Sequence, residues 1–117
     1  MAIIAGTYNF TVQRRADHSE SIRLTDSNDA AINLTGFTIA AQVYDESRSY
    51  KYADFAVAYT NRSNGEFTIS LTHTQTANFM TDKLKYDVLI LNSLGKREYY
   101  LEGTIVVSEG YTTLWVT

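Results

Sequence analysis

Hydrophobic and polar residues alternate with a period of two along most of this chain. In Tyr8-Asn9-Phe10-Thr11-Val12-Gln13 the aromatic and Val side chains fall on one face and the polar ones on the other, the pattern of a half-buried strand. Phe37-Thr38-Ile39-Ala40-Ala41-Gln42-Val43 repeats it, with Phe37, Ile39, Ala41 and Val43 inward. So do Ser21–Thr25 (Ile22 and Leu24 inward), Phe55–Tyr59, and Glu66–Leu71, which buries Phe67, Ile69 and Leu71. Glu98 to Val107 places Tyr99, Leu101, Ile105 and Val107 in phase, and Gly103 marks a bulge or a close backbone approach. Tyr86-Asp87-Val88-Leu89-Ile90-Leu91 carries apolar residues on both faces, which suits a central strand or a second buried contact.

The segments between are turns. Arg15-Ala16-Asp17-His18, Asp26-Ser27-Asn28-Asp29 and Asn92-Ser93-Leu94-Gly95 are polar and short, and such side chains bond their own backbone. Ile32–Gly36 reads as a short edge segment, Asp45–Lys51 as a charged, tyrosine-bearing loop, and Asn61–Gly65 as a hairpin turn. One brief helix is expected, where Thr72-His73-Thr74-Gln75 forms a capping box ahead of Ala77–Met80. The pattern predicts an all-β fold: an immunoglobulin-like antiparallel β-sandwich of seven to eight strands with one short connecting helix. A barrel is the alternative.

Length and composition fit one domain over residues 1–117. A formal net charge of −3, with basic pairs only at Arg14–Arg15 and Lys96–Arg97, argues against nucleic-acid binding, which draws its affinity from phosphate neutralisation. The absence of cysteine excludes disulfides, thiol catalysis and thiolate zinc sites. No apolar run approaches a membrane span, and Met1–Gly6 is too short for a signal peptide.

Both chain ends are apolar. Ile3 and Ile4 at the start, and Leu114, Trp115 and Val116 at the end, are candidate interface residues in partner-binding arms at 1–6 and 111–117. Such arms can add a strand to a neighbouring sheet, or close their own as an edge strand. Leu89 and Leu91 join this candidate interface, as do Tyr50 and Tyr52. Tyr44, Tyr50, Tyr52 and Tyr59 gather around one loop in sequence. Exposed tyrosines suit a protein interface or weak contact with glycans.

No constellation combines nucleophile, base and orienter, so no catalytic residue, cofactor or metal is expected. Asp17, His18 and Glu20 read as one exposed turn, and His73 as a surface helix residue. Asp26, Asn28 and Asp29 have calcium-like spacing but lack the glycine and bidentate glutamate of an EF-hand loop.

Several short motifs recur in an order that carries a resemblance. They are Gly6-Thr7-Tyr8-Asn9-Phe10-Thr11-Val12; Leu34-Thr35-Gly36; Gly65 through Thr72 followed by Gln75-Thr76-Ala77; Tyr86-Asp87-Val88; and Leu101-Glu102-Gly103-Thr104-Ile105-Val106-Val107. In this order the chain resembles small structural domains of tailed bacteriophages, including the N-terminal domain of siphophage upper baseplate proteins, over roughly residues 6–108. The resemblance implies a non-enzymatic virion structural protein of the tail, baseplate or fibre-attachment region. Its partners would be other virion proteins and copies of itself, and it would be assembled in the host bacterial cytoplasm. The sequence carries no helical stalk or receptor-binding tip, so an adaptor, a fibre-attachment piece or a decoration module is expected rather than receptor binding. A capsid head decoration protein and a carbohydrate-binding module are the alternatives.

Overall fold

The computed structural model describes residues 6–26 and 28–109. Its strands are β1 (Gly6–Thr7), β2 (Phe10–Gln13), β3 (His18–Arg23), β4 (Thr38–Tyr44), β5 (Lys51–Asp54), β6 (Ala56–Asn61), β7 (Glu66–Leu71), β8 (Lys83–Leu91) and β9 (Arg97–Ser108). One sheet has the order β1-β9-β8-β4-β5, with β2 also on β9, and the other the order β3-β7-β6. The two sheets share one core, in which Val12, Leu34, Val43, Phe67, Ile69, Phe79, Leu84, Val88 and Ile105 have no exposed surface. This connectivity is that of an immunoglobulin-like sandwich.

The fold departs from the expected one in two respects. The larger sheet is mixed rather than antiparallel, because β1 and β2 run parallel to β9. A parallel neighbour needs a long crossover, and here the crossover is nearly the whole domain. There are also nine strands among the described residues, more than expected. The surplus comes from two breaks. Tyr8–Asn9 separates β1 from β2, and at Phe55 the chain leaves one sheet for the other.

Each break has a physical cause. At the first, the chain crosses directly over Gly103, where an added Cβ would overlap the Tyr8 carbonyl oxygen. Gly103 therefore marks a close approach, not a bulge. Tyr86 Oη donates to that carbonyl at 2.6 Å and Asn9 Oδ1 accepts from the Thr104 amide at 2.8 Å, fixing the crossing. At the second, Phe55 N donates to Ala41 O at 2.9 Å just beyond the stretch of β4 paired with β5. Phe55 itself is buried and holds the corner.

The bulge lies three residues earlier than Gly103. Val88 pairs with Leu101 but Leu89 pairs with Tyr99, so Tyr100 is the extra residue. Tyr100 and Leu101 are both buried while Tyr99 is 55% exposed, which overturns the inward placement of Tyr99. Tyr8 also faces outward at 43% exposure. Ile32–Gly36 forms no strand. It is instead a loop that sinks Ile32 and Leu34 into the core. Asn61–Gly65 is the expected hairpin turn between β6 and β7, built on a single 3-10 turn (Arg62–Asn64) and closed by Gly65 at φ 72°.

The expected capping box is present on α1 (His73–Thr76). This single turn closes one end of the sandwich. Thr76 is fully buried and its Oγ1 donates to Ala16 O at 2.9 Å. The chain beyond the helix then delivers Phe79 to the core, and Arg14 Nε donates to the Phe79 carbonyl at 2.6 Å.

Candidate interaction site

The two outward faces of the sandwich differ in chemistry. On the smaller sheet the outward positions are Ser19, Ser21 and Arg23 on β3, Glu66, Thr68 and Ser70 on β7, and Ala56, Ala58 and Thr60 on β6. These are small or hydrophilic, as a solvated face requires. The larger sheet presents four rows that cross its central strand β8, each fixed by register. Lys51, Tyr44, Lys85 and Thr104 form a basic row. Asp54, Gln42, Asp87, Glu102 and Thr7 form an acidic one. Ala40, Leu89 and Tyr99 come next, and then Thr38, Leu91 and Arg97.

Tyr44, Lys85 and Thr104 of the basic row and Gln42, Asp87, Glu102 and Thr7 of the acidic row line a groove of about 410 Å³. One wall is the loop after β4, which Asp45 makes rigid. Its Oδ1 accepts from the amides of Ser49 (2.7 Å) and Tyr50 (3.1 Å), and its Oδ2 from the Ser49 hydroxyl at 2.5 Å. These bonds, led by the Ser49 hydroxyl, hold the Asp45 carboxyl below its ordinary pKa. Arg48 reaches back from this loop, its guanidinium 5.9 Å from the centre of the Tyr44 ring.

Asp87 on the groove floor is the electrostatic anomaly. It is directly opposite Glu102, and like charges in that position repel. The carboxyl is half-buried, and burial pushes its pKa up. Arg48 opposes that shift and Glu102 adds to it. Sequence reading missed this pair because the register that makes the two residues neighbours is set by the Tyr100 bulge. The only signal in the sequence was the alternation Lys83, Lys85, Asp87 on one face of β8.

The sequence-predicted interface residues are not brought together. Leu89 and Leu91 occur on the outer face of the larger sheet, half-buried. Tyr50 is 61% exposed, and its ring meets Tyr52 edge-on at 4.8 Å. Tyr52 in turn packs on Phe79 at 5.9 Å and belongs to the margin of the core. Tyr59 is separate from this group, with its own partner on β4 and the Arg62 guanidinium 3.7 Å from its ring centre. Ile3, Ile4, Leu114, Trp115 and Val116 lie outside the described residues, as does all of the arms at 1–6 and 111–117 except Gly6, which opens β1.

Asp17, His18 and Glu20 do not share an exposed turn. His18 and Glu20 sit on β3, facing the edge of the other sheet. Glu20 accepts from Tyr8 Oη and pairs with His18 Nε2, both at 2.6 Å, and the His18 ring stacks on Phe10 at 5.1 Å. The group links one edge of the sandwich and fills it with polar contacts. Asp17 instead accepts from the His73 amide at 2.6 Å. Asp26 is consumed by its own turn, its Oδ1 accepting from the amides of Asn28 (2.8 Å) and Ala30 (3.0 Å). Among the described residues no three His, Cys, Asp or Glu side chains are grouped to hold a metal ion.

Fold and site together define a two-sheet, immunoglobulin-like β-sandwich whose larger sheet carries a grooved, mixed-charge outer face. No protein-family model matches the sequence, and no curated protein matches it. Among solved structures it is similar to the Lin-41 filamin domain, at 17% identity and a TM-score of 0.46, covering 86% of this chain and 84% of that one.

Proposed function

We propose that this protein is a bacteriophage virion structural protein, a non-enzymatic assembly module of the tail, baseplate or fibre-attachment region. Its partners are other virion proteins and copies of itself, and its place is the virion. The observation that carries this reading is the contrast between the two outward faces. The smaller sheet is finished for solvent, whereas the larger sheet leaves Leu89, Leu91, Tyr99 and Val106 at its surface beside the groove. Apolar residues arrayed on a rigid sheet are what a neighbouring subunit covers. The resemblance of the ordered motifs to phage structural domains supplies the class of neighbour.

The test is direct. Particles purified from the infection that produces this chain should contain it at a fixed copy number, and the double variant Leu89→Ser/Tyr99→Ser should fold but fail to enter them. A chain that stays in the soluble lysate, absent from purified particles, would overturn the reading. Copy number also separates the tail from the head, since decoration of a head needs hundreds of copies per particle.

A further inference from the structure

We propose that the outer face of the larger sheet packs against the same face of a second copy about a two-fold axis lying between the acidic and basic rows. The proposal rests on the assembly reading and names the partner of that face.

The argument begins with the order of outward residues along β8: Lys83, Lys85, Asp87, Leu89, Leu91. A two-fold axis across the strands, between Lys85 and Asp87, inverts this order on the facing copy. Asp87 then meets the second copy's Lys85, and Lys85 meets its Asp87. The same rotation brings Leu89 onto the aliphatic stem of the second copy's Lys83. On β9 it sets Tyr99 against Val106, the two exposed apolar residues of that strand.

The pairing relieves what the isolated domain leaves unresolved. Asp87 and Glu102 repel one another across adjacent strands, and a facing lysine adds a second cation to the Arg48 that already acts on Asp87 within each copy. An isologous contact needs a self-complementary surface, and adjacent rows of opposite charge satisfy that by symmetry. Strand spacing and rise give the face an area of about 500 Å². That is below the roughly 800 Å² per partner of a standard stable interface. Self-association is therefore weak in free solution and counts when many copies are held together.

The experiment is sedimentation velocity of the full chain from about 10 μM to 1 mM, with Lys85→Glu, Asp87→Lys and their equimolar mixture. The wild type should self-associate, less so at high salt. Lys85→Glu alone should weaken association about tenfold or more, because each copy's Asp87 then faces a carboxylate. Asp87→Lys alone should do the same by setting lysine against lysine. Mixed, the two variants should form a heterodimer, since both charge contacts become attractive again. Should Asp87→Lys fail to fold, Val106→Asp at the exposed β9 position must weaken association by placing a carboxylate on Tyr99.

A wild type monomeric throughout the range overturns the proposal, as does a mixture no stronger than its separate variants. A monomer whose groove resonances move on adding a neutral oligosaccharide would assign the face to sugar and overturn it too. A monomer still found in particles would leave the structural reading standing and remove only this contact.

Discussion

The Tyr59 hydroxyl accepts a hydrogen bond from the backbone amide of Ile39 at 3.0 Å. This bond completes the edge of β4. β5 pairs with Gln42–Tyr44 only, so the amides nearer the start of β4 have no strand beside them on that side. The chain changes sheets at Phe55, and Tyr59 on β6 reaches back to supply the missing acceptor. Tyr59→Phe keeps the ring and removes the acceptor. It should cost about 1–2 kcal/mol in urea unfolding, and hydrogen exchange at the Ile39 amide should accelerate beyond the global change.

Gly103 makes a sharper prediction. Any Cβ there collides with the Tyr8 backbone, and neither atom is the end of a flexible side chain. Gly103→Ala should displace the crossing at Tyr8–Asn9, lowering stability by about 3 kcal/mol or more. Exchange protection should be lost first at Tyr8 N, which donates to Glu102 O at 2.9 Å. A Gly103→Ala variant as stable as wild type would refute the account of this crossing.

The single turn of helix offers a third. Thr76 Oγ1 links α1 to the β2–β3 turn through Ala16 O, entirely out of solvent. Thr76→Val preserves shape and leaves that carbonyl without its donor. The expected loss is about 1–3 kcal/mol, read from thermal or chemical denaturation.

Carboxylates on this domain respond to acid in opposite directions. Burial raises the folded-state pKa of Asp87. Its contribution to stability is therefore full below the unfolded value of about 3.9 and is lost as pH rises through the folded value. Asp87→Asn should accordingly be more stable than wild type near neutral pH and equal to it in acid. Asp45 has a lowered folded-state pKa, set first by the Ser49 hydroxyl. Its contribution is present above about 3.9 and disappears as pH falls through the folded value. Thermal melts of Asp87→Asn and Asp45→Asn across pH would show the two opposite trends.

Alternation made the inward faces of β2, β4 and β7 legible, because each residue's side follows from its neighbours. It fails where one residue is inserted. Tyr99 read as inward because nothing in Glu98–Leu101 announces that Tyr100 bulges and reverses the phase upstream of it. The parallel pairing of β1 and β2 with β9 was illegible for a different reason. Period-two patterns carry no direction, and no short turn links the partners to impose one. His18 and Glu20 were misplaced because polar residues next to a turn look solvated, yet the open margin of a sandwich accepts them when Tyr8 and Phe10 pack alongside. For the candidate site, Leu89 and Leu91 were visible as a second apolar face. The opposition of Asp87 and Glu102 was not, since it arises only once two distant strands are laid side by side.

The course of β2 beside β9 has a mechanical meaning. With β1 before it, β2 runs in the same direction as β9, from Gly6 beside Leu101 at one end of the domain to Gln13 beside Ser108 at the other. Tension applied between Gly6 and Glu109 therefore pulls these strands lengthwise past each other, so their cross-links must yield together instead of one at a time. Arg14 and Arg15 grip Glu109 at the loaded end. The domain is clamped against stretching along its own chain.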